Sequence, residues 1–527
     1  MSRLKSWVIL IVIISFALLV YTFKIGDTPG GVYVDEATVS YNAISILKTG
    51  NDEYGMPHPV LFRLFGSYTP PLFIYLAAFT MKFFGSGIIV TRLMSSASAL
   101  LSSGFLYLFL EKSKILKNRL SIFVVCFFYS VSPWLIFNAR LGYETTFAYL
   151  LNIVGIYFSY LALKNPKKII LALPILALSA YTAHTQKYLF IIYLFFYLIL
   201  FGKRFLAKVN RKYFLISLFI TILIFIPYLS IIGSPAFWVK NLNFFDPGGS
   251  GIVENIILQT LIYFSPKTLF FLLPDIDLQH TIPQISVLYN WMVIPFFTGL
   301  YLLFRNFKKL ENKFIVFLFI VTIIPAVLSG RFISIQRALP FLFPLILVIG
   351  FGIDFFIQKF GRIANVILFS TLTAYSLLNL YRSYFVLFPQ ERAIAWNWGY
   401  DQVAEFIKKN PNKRFLLDNS RNPRNYIELL YFLEYPSDVY QHEVDQVYRN
   451  NYYAAEPQIY EYKFGNIEVR NIDWGPDSCL DQIIIGDELT VSDAQMKDHH
   501  LKEIYRISDF REKPVFIFYQ TGSKPGC

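Results

Sequence analysis

WVILIVIISFALLVYTF, residues Trp7 to Phe23, is an uncharged run that a short polar link joins to the acidic stretch GVYVDEA, residues Gly31 to Ala37. Arg3 and Lys5 precede the run, and no small-residue cleavage site follows it. We therefore expect an uncleaved membrane anchor with a cytoplasmic N-terminus. Ionisable groups beside hydrocarbon are costly, so the acidic pair indicates a catalytic or ion site, with a solvated acidic loop as the alternative.

The composition is that of a polytopic membrane protein. Of the 527 residues, 55% are hydrophobic and 16% are charged, whereas about a quarter of a soluble domain is charged. The net charge of +13, from 48 Lys and Arg against 35 Asp and Glu, would suit a nucleic-acid partner. We exclude that partner because the basic residues form short clusters between apolar runs, which are signals of membrane topology. Of the three cysteines, Cys126 lies in an apolar run, and Cys479 and Cys527 can pair if the C-terminal region is extracytoplasmic.

Hydropathy predicts eleven membrane spans, each of which needs about 20 apolar residues. Basic clusters after the second, fourth, sixth, eighth and tenth spans all fall on the side of the N-terminus, which supports this count. The apolar segment 70–85 would invert every later cluster if it crossed, so we expect a helix at or dipping into the outer interface. The predicted spans are 7–23, 88–110, 120–138, 146–163, 169–185, 188–202, 213–233, 287–304, 314–330, 338–358 and 363–386.

These spans divide the chain into two predicted domains. Residues 1–389 form an α-helical transmembrane catalytic domain, in which the extracytoplasmic loop 24–87 carries the acidic motif. Residues 390–527 form a small extracytoplasmic α/β domain. Its predicted elements are a helix at 401–409 and strands at 414–418, 482–485 and 514–519.

The unusual polar residues all fall on the predicted outer side. A phosphate leaving group needs Arg or Lys to hold its charge as the bond breaks, and an acceptor hydroxyl needs a carboxylate base within reach. Both groups at the outer lipid boundary suit a substrate with its phosphate at headgroup level and its tail in the bilayer, such as a polyprenyl-phosphate sugar. The candidates are the acids Asp35, Glu36, Asp52, Glu53, Glu144, Asp275 and Asp277, together with Tyr68, Arg140, His184, Gln186, Lys187, His280, Arg331 and Arg337.

Several candidates have a plainer interpretation. Arg331, Arg337 and Lys187 can mark span ends, where long side chains extend to the interface. Glu144 can stabilise the N-terminus of the next helix. The D-x-D-x-x-H pattern at 275–280 resembles a loose metal cluster, but a solvated loop is the simpler interpretation.

Short motifs follow one another in the first loop and the helix after it. They are Val34-Asp35-Glu36-Ala37, Asn42-Ala43, Thr49-Gly50-Asn51-Asp52, Tyr68-Thr69-Pro70-Pro71-Leu72, Phe84-Gly85 and Thr91-Arg92-Leu93. Together they resemble the membrane-embedded GT-C glycosyltransferases, and most of all family 39, which includes protein O-mannosyltransferases and the lipid A aminoarabinose transferase. Arg140 to Glu144 stands where that family has its second acidic loop, with Glu144 in place of the more common Asp. The resemblance is strongest over 30–150 and looser from there to about 390.

The resemblance implies an integral-membrane glycosyltransferase of the GT-C type. It would move a sugar from a polyprenyl-phosphate-linked donor to an extracytoplasmic protein, lipid or cell-envelope glycan, with inversion. No cofactor and no metal are expected, although other GT-C enzymes use one. The predicted catalytic residues are Asp35 as base, Glu36 as an orienting carboxylate, Asp52 as the rival base, and Glu144. The predicted ligands of the donor phosphate are Arg140, Lys187, Arg331 and Arg337. Further predicted substrate contacts are Tyr68, His184 and His280.

Two other function classes stay open. A lipid-linked sugar transporter or flippase is disfavoured because no paired repeats and no charge near a span centre are found. A non-catalytic membrane scaffold would not need the acidic first loop or the outer cations. The expected partners are the lipid-linked donor, membrane lipids and the acceptor, but the sugar and the acceptor are not decided.

Overall fold

The computed structural model describes residues 3–65, 67–238, 251–273, 278–329, 333–422, 424, 426–444, 446–454 and 461–522. Seven helices in this part of the chain are long and apolar enough to cross a membrane, and one pair bent by 50° would make an eighth. The protein is therefore a multi-pass membrane protein. Its first ten helices are α1 (Arg3–Thr22), α2 (Val34–Thr49), α3 (Leu72–Phe84), α4 (Ile88–Ser113), α5 (Arg119–Ser130), α6 (Pro133–Ala139), α7 (Thr145–Lys164), α8 (Ile169–Ser179), α9 (His184–Leu206) and α10 (Arg211–Leu229).

Further helices follow α10 in the membrane part. Short 3-10 turns lie at 166–168, 290–292 and 339–341, and π-helical turns at 267–271 and 381–387. The later helices are Ile252–Phe264, Val293–Arg305, Leu310–Val321, Ile324–Leu328, Leu342–Lys359, Arg362–Leu380 and Phe388–Arg392.

Each of the eleven predicted spans overlaps a helix, but several differ in form. The span 120–138 is broken between α5 and α6, where Ser132 caps the new helix and Pro133 occupies its first turn. The span 169–185 holds only the 11-residue α8, whereas the short run 188–202 lies inside the 23-residue α9. Length and composition support seven or eight spans among the described residues, so the count of eleven stays a prediction.

Two glycines allow the helices Val293–Arg305 and Leu342–Lys359 to touch backbone to backbone. A Cβ atom on Gly299 would lie 1.8 Å from the carbonyl oxygen of Val348. A Cβ atom on Gly352 would lie 2.0 Å from the carbonyl oxygen of Pro295. Small residues at such contacts are typical of membrane helix pairs.

The first loop is folded rather than extended. It contains α2, which ends at Gly50 in a left-handed conformation, and an antiparallel hairpin of β1 (Phe62–Leu64) and β2 (Ser67–Thr69). The predicted interfacial helix is α3, with 13 residues. At 1.5 Å per residue α3 is about 20 Å long, which is less than the roughly 30 Å of a bilayer core.

The C-terminal part is a six-stranded mixed sheet with helices. Its strands are β3 (Phe415–Leu417), β4 (Tyr462–Phe464), β5 (Ile467–Val469), β6 (Ile483–Gly486), β7 (Lys502–Ser508) and β8 (Pro514–Gln520). The strand order is β4-β5-β3-β6-β8-β7, and β3 pairs in parallel with both β5 and β6. The predicted helix and the three predicted strands are confirmed; β4, β5 and β7 were not predicted.

The same region contains short helices and one disulfide-bonded cysteine. Cys479 is disulfide-bonded, and Cys527 lies outside the described residues. The helices are Tyr400–Lys409, Tyr426–Phe432, Ser437–Glu443, Gln446–Asn450, Trp474–Asp477 and Asp493–Asp498, with a 3-10 turn at 394–396.

Candidate active site at the start of the second helix

Glu36 holds the start of α2 against two other parts of the chain. Its carboxylate is fully buried and accepts hydrogen bonds from Nε and Nη2 of Arg92 at 2.9 and 2.8 Å. It also accepts from the backbone N–H groups of Gly142, at 2.6 Å, and Tyr33, at 3.2 Å. Arg92 donates in addition to the carbonyl oxygen of Gly31. A buried ion pair that is bonded so completely favours a structural role for Glu36.

Arg140 is likewise buried and bonded to the backbone. Its Nη1 atom donates to the carbonyl oxygens of Val20 and Tyr21 at 3.0 and 2.7 Å. Its Nη2 atom donates to those of Lys24 and Thr28 at 3.0 and 2.9 Å. The guanidinium thus binds the carbonyl groups at the C-terminal end of α1, where a helix leaves them unpaired and partially negative. This geometry favours a structural role over the predicted phosphate contact.

Asp35 lies beside Glu36 in the first turn of α2 but is only half-buried. Burial raises the pKa of the nearby Tyr143 phenol well above its usual range, and the Tyr33 phenol and the carboxylates of Asp35 and Glu144 raise it further. The predicted acids Asp35 and Glu144 therefore both lie near the Tyr143 hydroxyl group. Glu144 is also half-buried, and although it precedes α7, its side chain makes no capping hydrogen bond there.

Two more predicted residues border this group. The ring of Tyr33 contacts the ring of His280 edge-on, with centroids 5.3 Å apart. On another side, the amide of Gln336 donates to the Tyr143 hydroxyl, and the next residue, Arg337, is exposed. The structure thus brings Asp35, Glu36, Glu144, His280 and the Arg337 segment together.

Asp52 and Glu53 are buried beneath the C-terminal domain. Asp52 accepts hydrogen bonds from the Tyr452 hydroxyl at 2.5 Å and from the backbone N–H groups of Tyr54 and Met56. Burial raises its pKa to about 6, against the opposing effect of these bonds. Glu53 accepts from the Tyr426 hydroxyl at 2.8 Å, and burial, together with the nearby Asp52, raises its pKa to about 8.

Tyr68, His184 and Lys187 form a second group around α9. The Tyr68 hydroxyl donates to the carbonyl oxygen of Tyr452 at 2.5 Å, and Nε2 of His184 lies 2.7 Å from the carbonyl oxygen of Tyr68. Lys187 is buried, with its Nζ atom 4.2 Å from the ring centroid of Phe237. This group adjoins Asp52, which binds the same Tyr452.

The group around Asp35 and the group around Asp52 and Glu53 are separated along α2. Asn42 binds Glu53 through its side chain and follows Asp35 by seven residues. Seven residues of α-helix rise by about 10 Å. Asp52, the rival base, is therefore not a neighbour of Asp35.

Similarity to known proteins extends over the whole fold. Residues 68–231 match the family model for dolichyl-phosphate-mannose-protein mannosyltransferases. The structure of ArnT from Cupriavidus metallidurans bound to undecaprenyl phosphate matches with a TM-score of 0.55 at 12% identity, over 97% of this chain and 98% of that chain. Apo ArnT matches with a TM-score of 0.54 at 12% identity, over 99% of each chain. The chain shares the GT-C membrane fold of ArnT.

Another solved structure is less similar to this chain. The Archaeoglobus fulgidus oligosaccharyltransferase AglB, in complex with an inhibitory peptide and a dolichol-phosphate, has a TM-score of 0.49 at 11% identity, over 82% of this chain and 64% of that chain. No curated protein sequence matches the chain significantly.

Some predicted site residues lie outside the described residues, namely Arg331, Asp275 and Asp277. Among the residues that the structure does describe, no group of three or more His, Cys, Asp or Glu side chains could hold a metal ion. Metal independence stays a prediction.

The hydrogen-bond donors to the buried acids were not predicted from the sequence. Arg92 was given no role beyond its place in the Thr91-Arg92-Leu93 motif. Tyr426 and Tyr452 lie in a domain that was predicted to be separate. The available signal was the cost of burying an acid, since each such acid needs a donor. The identity of that donor follows only from the tertiary fold.

Proposed function

We propose that this protein is a GT-C membrane glycosyltransferase, which moves a sugar from a polyprenyl-phosphate-linked donor to a hydroxyl group of an extracytoplasmic acceptor, with inversion and with Asp35 as the general base. The family model for residues 68–231 is named for a dolichyl-phosphate-mannose enzyme. ArnT, whose fold this chain shares, is bound to undecaprenyl phosphate in one structure. Both names support a lipid-phosphate donor. The basic clusters of the sequence support an extracytoplasmic site.

One observation carries the choice of Asp35. Glu36, Asp52 and Glu53 are fully buried and bonded to donors within the protein. Asp35 is half-buried, so an acceptor hydroxyl group has access to it. Glu144 is the other half-buried acid of this group, and we assign it to orient the acceptor or the donor.

The proposed step is a single displacement at the anomeric carbon. The acceptor oxygen attacks that carbon while its proton passes to the Asp35 carboxylate. The bond between the anomeric carbon and the phosphate oxygen breaks, and its electron pair stays on the phosphate. Attack from the face opposite the leaving group inverts the configuration.

The leaving phosphate needs a cation, and the exposed Arg337 is our first candidate. It follows Gln336, which binds the Tyr143 hydroxyl beside Asp35. A guanidinium can bind two phosphate oxygens at once. Lys187 is the second candidate, but its aromatic surroundings lie beside Asp52 and Tyr68.

The test is sugar transfer from a radiolabelled polyprenyl-phosphate hexose in membranes that carry the wild type or Asp35→Asn. We expect Asp35→Asn to lower transfer by about 100-fold or more, the usual contribution of a general base. Asp27→Asn is the matched control, because Asp27 is an exposed acid of the same loop. We expect it to transfer within about twofold of wild type, as exposed substitutions have small effects.

Two other outcomes would contradict parts of this proposal. Undiminished transfer by Asp35→Asn would exclude Asp35 as the base and leave Glu144 as the accessible acid to test. Absence of transfer by the wild type with every polyprenyl-phosphate sugar supplied would contradict the proposed donor class.

A further inference from the structure

The C-terminal domain lies against the same helix that carries Asp35. Its helix Tyr426–Phe432 packs on α2. Near one end of that helix the Tyr426 hydroxyl donates to Glu53, and near the other the Tyr431 hydroxyl accepts a hydrogen bond from the backbone N–H of Ile88 at 2.9 Å. The residues between these contacts are therefore held over α2.

Glu428, between those two contacts, is a fully buried acid. Its Oε1 atom accepts a hydrogen bond from Nδ2 of Asn397 at 2.5 Å. Its Oε2 atom has no hydrogen-bond partner among the described residues. Asn397 is itself held by a hydrogen bond from the amide of Asn422 at 3.3 Å. A buried carboxyl oxygen without a partner is costly in a finished fold.

The charges around Glu428 come from three elements. Asp35 on α2 and Arg424, in the segment before the helix of Glu428, both affect the charge of Glu428, and Glu428 affects Tyr400 in the helix Tyr400–Lys409. Asn397, the hydrogen-bond partner of Glu428, lies towards the start of α2, because the ring of the preceding Trp396 contacts the ring of Tyr33 with centroids 5.5 Å apart. Burial, and to a smaller extent Asp35, raise the pKa of Glu428 to about 8, although Asn397 and Arg424 oppose the rise. When two carboxyl groups lie close together, the more buried one keeps its proton and the more solvated one carries the charge.

We propose that Glu428 is a positioning residue of the active site, whose protonated carboxyl group donates a hydrogen bond to Asp35. This hydrogen bond fixes the orientation of the Asp35 carboxylate, which takes the acceptor proton. Glu428 neither gains nor loses a proton in the transfer. The C-terminal domain thereby completes the active site instead of only selecting the acceptor. The inference rests on the proposed function, because it assigns Asp35 as the base.

The test compares how transfer depends on pH in the wild type, Glu428→Gln and Glu428→Ala. Gln keeps an N–H donor but does not titrate, so we expect transfer within about threefold of wild type at neutral pH. The wild type should lose transfer above about pH 8, where Glu428 ionises, and Glu428→Gln should lack that alkaline loss. Glu428→Ala should lose about tenfold or more at every pH, the order of effect that misplacing a catalytic group has. Glu405→Gln, an exposed acid of the same domain, should match the wild type.

Two results would overturn the inference. One is an alkaline loss in Glu428→Gln identical to that of the wild type. The other is wild-type transfer by Glu428→Ala.

A stability measurement separates this inference from the proposed function. The pKa of folded Glu428 is raised above its ordinary value, so its contribution to stability is complete below about pH 4.5 and is lost as pH rises to about 8. In detergent above about pH 8, where Glu428 is ionised beside the Asp35 carboxylate, Asp35→Asn should raise the Tm of the wild type because it removes the repulsion, but it should not raise the Tm of Glu428→Gln. Equal effects of Asp35→Asn in both backgrounds would show that the two carboxyl groups are not coupled, even if no donor sugar supports transfer.

Discussion

At the level of single side chains, burial separates the charged groups that hold the fold from those that remain accessible. Arg140 was predicted as a donor-phosphate ligand and Glu36 as a catalytic carboxylate, yet Arg140 donates four hydrogen bonds to backbone carbonyl groups and Glu36 accepts four within the protein. The side chain of Asp35 is half-buried and that of Arg337 is exposed, so solvent reaches both. The sequence contains the same residue types in both roles, so only the fold distinguishes them.

Arg140→Lys should destabilise the protein. Lysine has three donors on one nitrogen and cannot reproduce the four separated bonds of the guanidinium. We expect a loss of about 3 kcal/mol, in the range found when a buried charged hydrogen-bond partner is removed. The measurement is thermal unfolding in detergent, with Arg337→Lys as the exposed control. If Arg140→Lys unfolded like the wild type and only weakened donor binding, Arg140 would be a phosphate ligand after all.

At the level of helices, hydropathy and charge were sufficient to place most elements. All eleven predicted spans overlap helices, because a membrane helix must satisfy its own backbone and be apolar along its length. The break between α5 and α6 was signalled by Ser132 and Pro133, although the run is apolar on both sides. Helix contacts were not predictable, since membrane helices pack through small residues rather than through an apolar stripe.

Gly299→Ala tests the closest of these helix contacts. The added Cβ atom would lie 1.8 Å from the Val348 carbonyl oxygen, so the two helices must separate. Overpacking of this kind costs about 1–3 kcal/mol or more, and Tm should fall. Gly104→Ala is the control, because nothing lies within 4 Å of its added Cβ atom and Ala favours helix by up to about 1 kcal/mol. Equal Tm values for the two variants would show that the helices are not in backbone contact.

At the level of the whole molecule, the C-terminal domain and the first loop form one structure. Tyr452 donates to Asp52 and accepts from the backbone N–H of Arg63, while Tyr426 donates to Glu53. The strands β3, β6 and β8 of the domain were predicted from the sequence, whereas β4, β5 and β7 were not. The docking of the domain was not predictable either, because hydrogen bonds between residues 373 to 400 positions apart leave no local signal.

Tyr452→Phe should destabilise this junction while keeping its apolar packing. Asp52 loses a donor and the Arg63 N–H loses an acceptor, and each buried unsatisfied group costs about 1–3 kcal/mol. Tm should fall, and Tyr505→Phe, at a largely exposed ring of the same domain, should not lower it. Unchanged stability of Tyr452→Phe would mean that water replaces the lost hydroxyl and that the junction is open to solvent.

The bond between Tyr452 and Asp52 joins residues 400 positions apart. A ribosome adds roughly 5–20 residues per second, so about 20–80 s separate the synthesis of the two side chains. Throughout that interval the first loop has been made, but its acids lack the hydroxyl groups that later bury them. The newborn chain therefore passes through a stage with an open, charged first loop, and a protease or chaperone that recognises this stage would act before the last strands are made.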